Sequence, residues 1–167
     1  NYFAHHVVLT AGELPPAGPA WLIRQPGFLE TQWNGQVREL PQGRSVPQGN
    51  AQPRRCTTWE RITGDAGWAG VLLKYLHENA AAPVYLLGGE ALPFLDLLDE
   101  IIALMPPEKR WSVTFTTRYF QLPSGVTCAV RIVPPGSEKM AEAKASPRLI
   151  DLSALAAKRP PDDPFTQ

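Results

Sequence analysis

The sequence predicts an α/β domain with a mixed, mainly parallel sheet of about five strands and helices packed on it. Three observations carry that prediction. Apolar runs of strand length recur at 84–87, 111–117 and 127–133. Segments with helical apolar spacing fall before and between them, at 66–79 and 91–105. Pro and Gly clusters punctuate nearly every boundary. Strands alternating with helices are the signature of a sheet with helices against it.

The first element expected is a strand over 2–10, where Phe3, His5, Val7 and Leu9 share one face and Ala4, His6, Val8 and Thr10 the other. Both faces are largely apolar, as in a strand covered on two sides. Pro19 then suits the first position of a short helix through Ile23, which Pro26-Gly27 ends. Trp21, Phe28, Leu29 and Trp33 are expected to pin this part to the core. Residues 35–53 read as a surface excursion with a short strand at 37–40.

Thr57 and Glu60 have capping-box spacing, which predicts a helix over 58–63. Gly64 follows as its C-terminal cap and Asp65 as N-cap of a second helix, 66–79. Trp68, Val71, Leu72, Tyr75 and Leu76 form its apolar stripe, with Lys74, His77 and Glu78 toward water. A strand at 84–87 ends at Gly88-Gly89. In helix 91–105, Leu92, Leu95, Leu98, Ile102 and Met105 face the core and Asp96, Asp99 and Glu100 face out. Pro106-Pro107 stops it, and 111–117 alternates as a strand parallel to 84–87. With no helix between, strand 127–133 is expected to run antiparallel to it. Ser137 is expected to cap a polar helix over 138–145, and a short strand follows at 149–152. The reading is one domain over 1–152, a piece of a longer protein, then a Pro-rich linker or tail over 153–167.

Sixteen basic and sixteen acidic residues give zero formal net charge. That removes the electrostatic footprint of a nucleic-acid or membrane-surface binder. No apolar run approaches the roughly 20 residues of a membrane span. Cys56 and Cys128 lie in separate segments and are read as reduced, partly buried thiols in a cytoplasmic protein.

Three places are candidates for binding. Gly64, Asp65, Gly67 and Trp68 open a helix, whose free N–H groups suit an anion. A helix precedes these glycines where a dinucleotide fingerprint needs a strand, and Asp65 itself repels anions. The plainer reading is a tight corner between two capped helices. His5 and His6 point to opposite faces of a strand, which does not suit one metal, and no short ligand spacing accompanies them. Thr117 and Arg118 sit at the carboxyl end of a strand, the customary ligand side of a parallel sheet. There Arg118 suits a carboxylate or phosphate, against the plainer reading of a Thr-rich strand and its loop. No motif assembles a nucleophile, a base and an oxyanion hole, so the reading is non-enzymatic, with no cofactor and no metal.

One pattern goes further. Asn1-Tyr2-Phe3-Ala4-His5-His6, Gly18-Pro19-Ala20-Trp21, Thr63 to Gly70, Pro106-Pro107 with Arg110-Trp111 and Val113-Thr114-Phe115, and Ile150-Asp151-Leu152 follow in order. Over residues 1–152 the chain resembles bacterial proteins of the GTPase-associated protein one type, in their amino-terminal to middle region. The resemblance implies a component of multi-gene conflict or signalling systems that include a GTPase or other NTPase. It transfers no catalytic residue. The expectation is a non-enzymatic adaptor or scaffold domain that docks a protein partner, such as a GTPase-system component, near Trp33, Trp59 and Trp68. No contact with nucleic acid or membrane is expected of it. The alternative is a nucleotide- or anion-binding domain, such as a degenerate hydrolase, using Thr117-Arg118 with the start of helix 66–79.

Overall fold

The computed structural model describes residues 4–32, 35, 43–79 and 81–167. Helices α1 (Pro19–Ile23), α2 (Thr57–Thr63) and α3 (Gly67–Glu78) precede strand β1 (Val84–Leu87). Helix α4 (Phe94–Leu104), β2 (Phe115–Thr116), β3 (Val130–Val133), α5 (Met140–Ala145) and β4 (Leu149–Asp151) follow. Among the described residues four strands form one sheet, in the order β2-β3-β1-β4. Every pair is parallel, with Val84 opposite Val130, Leu86 opposite Ile150 and Phe115 opposite Val130.

The pleat divides the core. Val84, Leu86, Val130, Ile132 and Ile150 face a thick layer made of α1 to α4. Tyr85, Leu87 and Val133 face a thin layer with Tyr119 and Ala143 of α5. α4 follows β1 on the thick side and its connection skips β3 to reach β2. α5 follows β3 on the thin side and its connection skips β1 to reach β4. The neighbours β1 and β3 therefore send their chains to opposite faces, which makes the gap between their carboxyl ends the topological switch point.

Several expectations are corrected. Residues 4–10 form no strand: they pair with no sheet, and Val8 is 92% exposed. Tyr2, Phe3 and the strand expected at 37–40 lie outside the described residues. The sheet is all-parallel where a mixed one was expected. β3 runs parallel to β2 because the connecting loop, 117–129, has the dozen or so residues that a return crossover needs. Trp111 and Ser112 belong to a 3-10 turn, Pro107–Ser112, and only Phe115–Thr116 pairs as strand. There Arg110 and Trp111 turn inward to bond the backbone of residues 15, 16 and 51, which holds the chain off the sheet until Val113.

α4 begins at Phe94 rather than 91, since the residue before Pro93 is biased away from helical backbone. It is also not amphipathic in the expected way. Asp99 is 1% exposed and Glu100 9%. Asp99 is clasped by Arg24 and Arg54, and Arg24 also reaches Asp96. Burial pushes the Asp99 carboxyl above its ordinary range, and Arg54 and then Arg24 work against it.

Glu100 takes the place of the expected capping box. Its carboxylate accepts the Thr58 N–H at 2.8 Å, while Thr57 leaves that end of α2 without a side-chain cap. Trp59, wholly buried, donates its indole N–H to Leu97 O at 2.9 Å. Ser137 caps nothing: α5 starts at Met140, and the buried Ser137 hydroxyl has no hydrogen-bond partner among the described residues.

Arg110, 1% exposed, is a third buried charge in the thick layer, beside Asp99 and Glu100, among the described residues. It donates to Met105, Pro16, Ala51 and Ala103 carbonyls at 2.7–3.0 Å. The non-helical stretches around Pro16 and Ala51 are thus tied to the end of α4 and the turn after it.

Candidate functional site

The switch point is a cleft. It encloses about 530 Å³ between Gly88 after β1, Ile132 and Pro134 at the end of β3, and Thr117-Arg118 after β2. Its apolar lining comes from Leu92, Pro93, Phe94 and Leu95, where the chain enters α4. A Cβ on Gly88 would come within 2.6 Å of the end of the Leu92 side chain and 3.1 Å of the Phe94 ring, so the bare backbone there lets both lie close against the end of β1. Packing of that loop against β1 shapes the cleft floor.

Charges at the mouth stand in opposite-sign pairs. Arg118, 63% exposed, meets Glu90 at 3.0 Å, and its guanidinium lies 5.3 Å from the centre of the Phe120 ring. Arg24 pairs with Asp96 and Asp99. Asp96 stands in the first turn of α4, where a carboxylate already answers the positive end of the helix. Phe120 is 54% exposed and Val126 51%. Both sit on the loop between β2 and β3 that carries Arg118.

The sequence candidates are dispersed. Thr117 and Arg118 line the cleft. Asp65 and Gly67 line a separate cavity. His5 and His6 line a third, where His5 is half-buried and accepts the Glu30 N–H at 2.8 Å while His6 is exposed. The start of α3 therefore does not join Arg118 in one site, contrary to the anion-binding scheme.

Gly64 takes φ 81° and ends α2 as expected. The Asp65 carboxylate accepts the Gly67 N–H at 2.8 Å, as a cap does. Trp68 is half-buried against the main core. The docking surface expected around Trp33, Trp59 and Trp68 loses Trp59, which is buried, and Trp33 lies outside the described residues. Cys56 and Cys128 are free and buried. Burial, helped by the Glu100 charge, pushes the Cys56 thiol up to about 11, so it stays protonated.

Sequence reading missed Arg24, Glu90 and Phe94 at the cleft. It also missed a polar knot on the thin side of the sheet. There the Glu142 carboxylate accepts from Tyr85 at 2.6 Å, from Tyr119 at 3.1 Å and from Arg131 at 3.2 Å. The available signal was a charged residue, Arg131, inside an otherwise apolar parallel strand.

A doubly wound α/β domain with a switch-point cleft is the class that this geometry defines. The family model for the middle domain of GTPase-associated protein 1 matches residues 56–154, more than half of the chain. The chain belongs to that family. No curated protein and no solved structure matches it. The matched span opens at the residue before α2 and closes just after β4, so it holds the whole sheet. Among the described residues no helix is long and apolar enough to cross a membrane.

Proposed function

We propose that this domain is a non-catalytic adaptor that docks a protein component of a bacterial GTPase-associated conflict or signalling system, in the cytoplasm, through the carboxyl edge of its sheet. The carrying observation is the pairing of an exposed apolar loop, Phe120 and Val126, with a cleft mouth whose charges are balanced. Aromatic and Arg groups side by side are the usual anchors of protein interfaces. A single-sign well, which a charged small substrate needs, is not what Arg118–Glu90 and Arg24–Asp96 make.

The test is binding of the purified GTPase of the same system, followed by biolayer interferometry. Phe120→Ser is expected to weaken it at least tenfold with the melting temperature unchanged. Equal binding by Phe120→Ser sinks the reading.

A second reading, a nucleotide- or anion-binding domain of the degenerate-hydrolase kind, is favoured by one observation. The cleft lies where ligands enter doubly wound sheets and carries Arg118 and Arg24 on its wall. Calorimetry with GTP, ATP and phosphate separates the two. Heat abolished by Arg118→Ala supports the second reading, and silence with all three supports the adaptor.

A further inference from the structure

Gly67, Gly70, Lys74 and His77 fall three and four residues apart on α3, so they form one face of that helix. Two of the four have no side chain, which leaves a trough beside two cationic or aromatic groups. Residues 160–167 lie in it. A Cβ on Gly70 would stand 1.8 Å from the Phe165 carbonyl oxygen, and one on Gly67 would stand 2.7 Å from that of Thr166. The glycines are therefore backbone-to-backbone contacts with this segment. Lys74 Nζ meets the Asp163 carboxylate at 2.6 Å, and the His77 ring lies 5.5 Å from that of Phe165.

The segment holds its own shape. Thr166 N–H donates to Asp163 O at 2.9 Å, and Phe165 N–H donates to the Asp163 carboxylate at 3.0 Å. Asp163-Pro164-Phe165-Thr166 is thus a closed turn with its proline at the second position. It does not fill the trough. A cavity of about 380 Å³ remains beside Phe165, Thr166 and Gln167, walled by Leu104 and Arg55. Leu104 is an apolar side chain left 39% exposed there.

We propose that this face of α3 is a docking groove for a short Asp-Pro-aromatic-Thr turn, which residues 160–167 occupy in cis and a partner protein's segment of the same chemistry takes over. The cis turn supplies the template: a carboxylate for Lys74, a ring for His77 and a bare backbone for the glycines. The unfilled cavity gives a partner segment more contact than the cis segment makes. The groove is separate from the cleft, so its test stands apart from that of the adaptor reading.

The experiment titrates a fluorescein-labelled peptide of residues 158–167 against the full chain, read by anisotropy. With the cis segment unseated by Asp163→Lys and Phe165→Ala together, saturable binding is expected. The unaltered chain should bind at least tenfold more weakly, because its own segment competes. Adding Gly70→Leu to the unseated chain should abolish binding. To separate that loss from misfolding, Lys74→Glu is placed instead in a chain unseated by Asp163→Ala and Phe165→Ala, so that the altered position 74 finds no opposite charge in cis. It should prefer a peptide carrying Asp163→Lys over the native peptide. No binding to the unseated chain, equal binding to both chains, or no preference in the charge swap overturns the proposal. A dimer of the unaltered chain that Asp163→Lys splits would assign the groove to a second copy, and overturns it equally.

Discussion

Glu100 on α4 closes the amino end of α2: its carboxylate accepts the Thr58 N–H through both oxygens, at 2.8 and 3.0 Å. α2 has seven residues, too few to hold as a helix alone. Its free N–H groups and positive dipole end match an anion, and a neighbouring helix supplies it. Glu100→Gln keeps the shape and loses the charge, and should cost about 1 kcal/mol. Glu100→Ala also strands buried donors and should cost about 2–3 kcal/mol. Urea unfolding measures both, and an unchanged midpoint for Glu100→Ala would remove the cap from the account.

Arg110 should be among the costliest single positions in the chain. Its guanidinium meets four carbonyls, and Arg110→Met leaves several without a donor. A loss of about 3–5 kcal/mol is expected, since each stranded buried group costs about 1–3 kcal/mol. Limited proteolysis should show cleavage rising first within residues 43–55, where Ala51 is held.

Tyr85 makes stability depend on alkaline pH. Burial, then its bond to Glu142, pushes its phenol up to about 12. An unfolded tyrosine ionises near 10. The folded state therefore keeps a proton that the unfolded chain releases, so the contribution is full below about pH 10 and is lost as pH climbs through 12. Tyr85→Phe should flatten that part of the stability profile, and tyrosinate absorbance should show one late-titrating phenol fewer. A profile identical in Tyr85→Phe would contradict the assignment.

Local signals were well read where chemistry and contact are close in sequence. β1 at 84–87 matches the expectation, and α3 departs from it by one residue at each end, because Gly64 and Asp65 mark that corner by backbone and capping chemistry. Thr117 and Arg118 were placed at a strand end for the same reason. Asp99 and Glu100 were misread because helical periodicity assigns every acid to water. It does not register Arg24, Arg54 or the end of α2, whose residues stand 41 or more positions from the acids they bond. The direction of β3 was misread because a helix-free loop suggests a hairpin, although length alone permits a parallel return. Leu92, Phe94 and Arg24 converge on the cleft only through sheet order, which no local pattern encodes.

The bonds from Arg110 to Pro16 and Ala51 also set an order of events on the ribosome. The first third of the chain emerges well before the residue that binds its carbonyls. Synthesis runs from the amino end, so the Pro16 and Ala51 carbonyls lack this donor until α4 and the turn after it are made. A nascent chain stalled ahead of residue 110 would present an unsecured strap to proteases and chaperones. One stalled soon after it has cleared the exit would already hold that strap shut.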